Sequence, residues 1–168
     1  RGVRGFKKGD RVLASCTVGC GDCALCRRGV YSGCLTMTKG GGGALTREKV
    51  VAAMAERFVV VADRSKVVPR LGPFGTPIEV LPFAPGVVTE HLLALGATTV
   101  DRRDDLSDNG GVLLDVHFGE ITDPAGLAAG LSAIPGVVEH GIFLADLVST
   151  VVIADPDGGY LNRFYDPA

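Results

Sequence analysis

The 168-residue sequence contains no apolar run approaching the ~20 residues that a membrane-spanning helix requires. No signal-peptide pattern follows Arg1, so a cytoplasmic protein with no membrane partner is the expectation. Strong charge of either sign is also missing: the net charge is −2, which argues against nucleic acid as a general partner. That charge is uneven, since Arg1, Arg4, Lys7, Lys8, Arg11, Arg27 and Arg28 make the start basic. No cysteine occurs after Cys34, and His91, His117 and His140 lack metal-ligand spacing, so structural or surface roles are expected for all three. What is abundant is apolar: 46% hydrophobic residues and a mean hydropathy of +0.30 describe a globular chain long enough for a sizeable core.

The chain is organised around Lys39-Gly40-Gly41-Gly42-Gly43-Ala44-Leu45-Thr46-Arg47-Glu48-Lys49. Four successive glycines let the backbone approach a ligand, because no Cβ intervenes and positive φ is accessible. A helix is predicted directly after them, over Thr46–Arg57, with Thr46 as N-cap and Glu48 in the positive first turn. Val50, Val51, Met54 and Phe58 fall at helical spacing. The stretch is neither a Walker loop nor a dinucleotide fingerprint, since it lacks Gly-Lys-Ser/Thr and Gly-x-Gly-x-x-Gly after a strand. A flexible glycine linker before an ordinary amphipathic helix is the competing reading of these residues alone.

Further along, Phe58 to Ala62 is a continuous β-rich apolar run, as in a buried parallel strand. Asp63, Ser65 and Lys66 then stand at its C-terminal end, where open α/β sheets bind ligands. From Thr76 to Phe143 the order is strand (Ile78–Leu81), helix (Pro85–Leu95), strand (Thr98–Arg102), strand (Val112–Phe118), helix, strand (Val137–Phe143). Asp123-Pro124 reads as an N-cap with proline at the first helical position, and Pro135-Gly136 as a stop. This succession implies a ferredoxin-like α+β unit. Val148 to Ala154 is expected to return to the first sheet, and the tail beyond Gly159 carries no signal.

The glycine segment resembles the active-site segment of type A ribose-5-phosphate isomerases. The likeness continues through Phe58–Lys66, Pro77–Pro82, Asp108–Gly110, Leu114–Val116 and Ala133–Gly141, in that family's order, over roughly residues 35–158. The resemblance implies an aldose–ketose isomerase that needs no cofactor for its chemistry and takes ribose 5-phosphate as partner. It further implies Glu48 and Lys39 as catalytic residues, with Glu48 the base, Lys39 with the amides of Gly40, Gly41 and Gly42 also holding the sugar, and Lys66 meeting the substrate near its phosphate. A homo-oligomer is compatible with it.

All five cysteines, Cys16, Cys20, Cys23, Cys26 and Cys34, precede this region. Four show C-x2-C-x2-C-x7-C spacing, which suits a tetrahedral structural zinc site, with disulfides as the alternative. An odd count and a cytoplasmic setting weigh against disulfides. Gly5–Val12 and Gly19–Cys34 resemble the structural-zinc lobe of zinc-dependent alcohol dehydrogenases. That resemblance makes Cys20, Cys23, Cys26 and Cys34 the zinc ligands and leaves Cys16 outside.

The resulting expectation is an α/β fold with three parts. Residues 1–34 form the four-cysteine zinc lobe, 35–75 with 144–168 a partial Rossmann-like parallel-sheet domain, and 76–143 the ferredoxin-like domain. Leu35–Thr38 would be a strand at the junction. The isomerases' phosphate loop and Asp-Gly-Ala-Asp segment have no counterpart in these residues, so little turnover by the chain alone is expected. A non-catalytic, zinc-binding chimera is the alternative, and a redox or zinc-transfer module a weaker third.

Overall fold

The computed structural model of the chain describes residues 45–63, 66–72, 74–154 and 160–164. The expected cysteine lobe, the 35–38 strand, Lys39 to Gly43 and Ser65 lie outside the described residues.

The chain enters through helix α1 (Leu45–Met54) and strand β1 (Val59–Asp63). It continues through β2 (Thr76–Val80), α2 (Pro85–Ala94), β3 (Thr99–Leu106), β4 (Val112–His117), α3 (Pro124–Ser132) and β5 (Val137–His140). A short 3₁₀ turn at Ala145–Leu147 leads into β6 (Thr150–Ala154) and then β7 (Tyr160–Phe164).

These strands make two sheets. In the first, ordered β1-β6-β7, β6 pairs parallel to β1 from Val59↔Thr150 to Asp63↔Ala154, and β7 pairs antiparallel to β6. Val148 to Ala154 therefore returns to the first sheet as expected. The tail, which carried no signal in the sequence, supplies β7. Phe58, Ala52 and Val148 form a small buried cluster under this sheet, with Phe143 tilted against Phe58 at 6.2 Å between ring centroids.

The second sheet is antiparallel, in the order β3-β4-β2-β5, and shows the expected β-α-β-β-α-β succession. Strand alternation turns Ile78 and Val80 of β2 and Val112, Leu114 and Val116 of β4 to one face. There they bury against Val88 and Leu92 of α2 and Ala128 and Leu131 of α3. Asp123 caps α3 as expected, its carboxylate accepting from the Gly126 amide at 2.9 Å ahead of Pro124. Burial of this apolar set, at ~25 cal/mol per Å² removed from water, is the main stabilising contribution.

Boundaries differ where tertiary contacts override local pattern. Strand β3 runs to Leu106 rather than stopping at Arg102, with a register shift between those residues. A bidentate pair, Arg103 Nε and Nη2 to the two Asp115 oxygens at 2.7 Å each, ties the extension to β4. Strand β5 stops at His140 instead of reaching Phe143, and α1 stops at Met54 rather than Arg57. Among the described residues no helix is long and apolar enough to cross a membrane.

The turn from α3 into β5 depends on Gly136, which has φ +99°. A Cβ there would lie 2.8 Å from Ala84 Cβ and 3.0 Å from Val88 Cγ2, whereas Gly96, at φ +105°, has open space around it. Both positions resist a side chain on backbone grounds, but only Gly136 adds a packing clash. Gly136→Ala should therefore destabilise the chain by ~1–3 kcal/mol more than Gly96→Ala. Equal urea midpoints for the two variants would show that the contact with α2 is not limiting.

Candidate functional site

Helix α1 bridges the two sheets. Its Ala52 joins the Phe58–Val148 cluster, while its first turn lies against the face of the second sheet opposite α2 and α3. On that face, strand alternation places Glu79 beside Leu113, its register partner on β4. Leu45 and Leu113 are both buried. Val50, Val51 and Met54 point outward, with Met54 81% exposed. The helical spacing of those three residues therefore marks a face that meets no described core, and the inward face is the one carrying Leu45 and Ala52.

Thr46 is not the N-cap, because the helix already includes Leu45. Its hydroxyl instead donates to Glu79 Oε2. Glu79 is 1% exposed and gathers further donors: Ser107 Oγ to Oε1 at 2.6 Å, and Asn109 Nδ2 at 3.4 Å from both oxygens. Ser107 Oγ in turn accepts from the Gly111 amide at 2.9 Å. A Cβ on Gly111 would sit 2.6 Å from Glu79 Oε1, so only glycine leaves the carboxylate room. An isolated buried carboxylate is very costly, and this ring of donors is what makes it tolerable.

Two more side chains of the same turn are anchored. Arg47 Nε donates to Asn109 Oδ1 at 2.8 Å, and its Nη2 to the Asp108 carbonyl at 2.6 Å. Lys49 Nζ donates to Glu139 Oε1 at 2.6 Å and to the His140 carbonyl at 2.5 Å, and lies 5.3 Å from the Phe143 ring centroid. The Arg47–Asp108 ion pair is exposed and contributes little, whereas Lys49 and Glu139 are largely shielded from water. Thr46, Arg47 and Lys49 are thus all engaged. Glu48, half-buried between them, has no hydrogen-bond or ion-pair partner among the described residues.

Of the residues singled out in the sequence, Glu48 and Lys66 are described. Lys66 is exposed, three residues beyond the end of β1, and no described contact joins it to Glu48. Lys39, Gly40, Gly41, Gly42 and the four cysteines lie outside the described residues, and among the described ones no cluster could hold a metal. Sequence reasoning missed Glu79 as a site residue. The available signal was a charged residue alternating with Ile78 and Val80 inside an apolar strand, which demands donors on the strand's other face.

His140 is buried, in keeping with a structural role. Its Nδ1 accepts from the Ile142 amide at 3.3 Å and lies 3.2 Å from Lys49 Nζ, while Nε2 meets Ser132 Oγ at 3.1 Å. Burial, reinforced by the Lys49 charge and opposed by Glu139, holds its pKa below the ordinary 6.5. The folded chain therefore keeps a neutral imidazole that the unfolded chain protonates more readily. The stability this represents is complete above about pH 6.5 and is lost as pH falls below that value toward the folded pKa. In thermal melts from pH 8 to 5, His140→Asn should show a shallower acid loss than the parent. Parallel curves would remove His140 from the acid response.

The sequence matches the family described as ribose 5-phosphate isomerase A (phosphoriboisomerase A) over residues 31–158. That span includes Cys34, and nothing in the comparisons supports an alcohol-dehydrogenase fragment ahead of it. Among solved structures, ribose 5-phosphate isomerase A from Neisseria gonorrhoeae is 36% identical with a TM-score of 0.69, over 74% of this chain and 56% of that one. The Methanocaldococcus jannaschii enzyme is 38% identical with a TM-score of 0.67, over 75% of this chain and 57% of that one. A third, a D-ribose-5-phosphate isomerase in complex with phospho-erythronic acid, is 34% identical with a TM-score of 0.68, over 75% of this chain and 57% of that one. The chain spans a little over half the length of these relatives. Glycine segment, parallel and antiparallel sheets and matched span agree: the chain belongs to the ribose 5-phosphate isomerase A family.

Proposed function

We propose that the chain interconverts ribose 5-phosphate and ribulose 5-phosphate, with Glu48 as the base. The reaction moves a proton between C1 and C2 of the open-chain sugar through an enediolate. It needs one carboxylate that reaches both carbons and cationic or amide donors for the developing oxyanion. The observation that carries this reading is the first turn of α1, where three polar side chains are tied to the second sheet and Glu48 alone has no partner among the described residues. Lys39 and the amides of Gly40, Gly41 and Gly42 then hold the sugar, and exposed Lys66 meets the phosphate. These five assignments rest on the family likeness.

The test is a coupled assay of ribulose 5-phosphate formation, run on the chain and on Glu48→Gln. Low but measurable turnover in the parent, in keeping with the missing phosphate loop and Asp-Gly-Ala-Asp segment, and a ~10²–10⁴-fold loss in the variant are expected for removal of a general base. No turnover in the parent would leave the non-catalytic alternative standing, and a variant as fast as the parent would take the base assignment from Glu48.

We also propose that Cys20, Cys23, Cys26 and Cys34 bind one structural zinc. The support is the donor set itself, four thiolates at C-x2-C-x2-C-x7-C spacing. The metal would add folding energy to a cysteine-rich stretch and take no part in isomerisation. Elemental analysis of protein purified without chelator should find about one zinc per chain, released as pH falls and the thiolates protonate. Metal-free native protein with every thiol reactive would refute this site.

A further inference from the structure

We propose that Glu79 is a positioning residue for Glu48, acting through the hydroxyl of Thr46. This rests on the assignment of Glu48 as base. At 3.6 residues per turn, successive side chains on α1 are separated by about 100° around the axis. With Thr46 turned onto Glu79, Arg47 falls about 100° to one side, Lys49 about 60° to the other, and Glu48 about 200° away. The observed contacts match that wheel: Arg47 meets the β3–β4 turn at Asp108 and Asn109, and Lys49 meets β5 at Glu139 and His140. Rotating α1 enough to redirect Glu48 would pull the Thr46 hydroxyl off a carboxylate that is 1% exposed and cannot recruit water in its place.

A carboxylate suits this position because it only accepts. Hydroxyls from Thr46 and Ser107 and the Asn109 amide all converge on it, the first from α1 and the other two from the β3–β4 turn. A glutamine there would turn an NH₂ toward a donor. Asn109 also accepts from Arg47, so the same ring that satisfies Glu79 fixes a second side chain of the turn. A base that must serve two neighbouring carbons loses rate steeply when displaced, while substrate affinity is set largely by other groups.

The experiment uses the full chain as Thr46→Val, which replaces the hydroxyl by a methyl, Thr46→Ser, which keeps it, and Glu79→Gln. Thr46→Val should lower kcat at least tenfold with KM within about twofold, and Thr46→Ser should restore kcat to within about threefold. Glu79→Gln should follow Thr46→Val. In a Glu48→Gln background Thr46→Val should have no further effect, since its influence passes through Glu48. A kcat within twofold of the parent for Thr46→Val, or a full effect persisting in the Glu48→Gln background, overturns the proposal. Absence of turnover in the parent is a failure of the isomerase reading, not of the anchor. The anchor is then decided by amide exchange in α1 from Lys49 onward. Exchange at least tenfold faster in Thr46→Val than in Thr46→Ser, with β4 unchanged, supports it, and equal exchange sinks it.

Discussion

Burying a carboxylate inside a sheet fixes much of what surrounds it. Glu79 is flanked along β2 by Ile78 and Val80, both fully buried toward α2 and α3, so its side chain has no route to water on that face. On the other face it must be met by donors or remain a large unfavourable term. Ser107 and Asn109 come from the β3–β4 turn, and Gly111 lacks the Cβ that would crowd the Glu79 carboxylate. The remaining donor comes from α1. Sheet, turn and helix are therefore interdependent at one pair of oxygens.

That interdependence explains how α1 serves both sheets without a broad apolar face. A helix of ten residues is marginal by itself, and this one buries only Leu45 and Ala52. Polar anchoring of its first turn supplies direction that hydrophobic contact could not, because hydrogen bonds are angular and apolar burial is not. The same tetrapeptide, Thr46-Arg47-Glu48-Lys49, thus divides its labour: three residues place the turn, and Glu48 between them has no partner among the described residues.

What the sequence discloses follows from where each structural signal originates. The β-α-β-β-α-β order was legible because periodicity, Asp123-Pro124 and Pro135-Gly136 are local signals, and the structure keeps each element within a few residues. Local rules misplaced Thr46, which has the chemistry of an N-cap, because its hydroxyl is claimed by a carboxylate 33 positions later. The inward face of α1 was misleading for a similar reason, since its polar side faces a polar part of a sheet. Strand β7 was unreadable because Tyr160–Phe164 has no apolar alternation of its own and is defined by pairing with β6. Glu48 was singled out through the family likeness of its glycine-rich setting, whereas Glu79 required knowing which face of β2 is covered.

Glu79 and Glu139 are register partners across β2 and β5, so two carboxylates stand side by side on the face that receives α1. Directly opposed like charges on neighbouring strands are unfavourable. Here they are answered differently: Glu79 by neutral donors, Glu139 by the Lys49 ammonium. A helix docked one turn out of register would bring neither Thr46 to the first nor Lys49 to the second, leaving the repulsion uncompensated. The neutral imidazole of His140 belongs to the same balance, because a cation there would face Lys49 and remove one of the atoms that accept near it. The acidic pair thus discriminates against wrong placements of α1, and with them against wrong placements of Glu48.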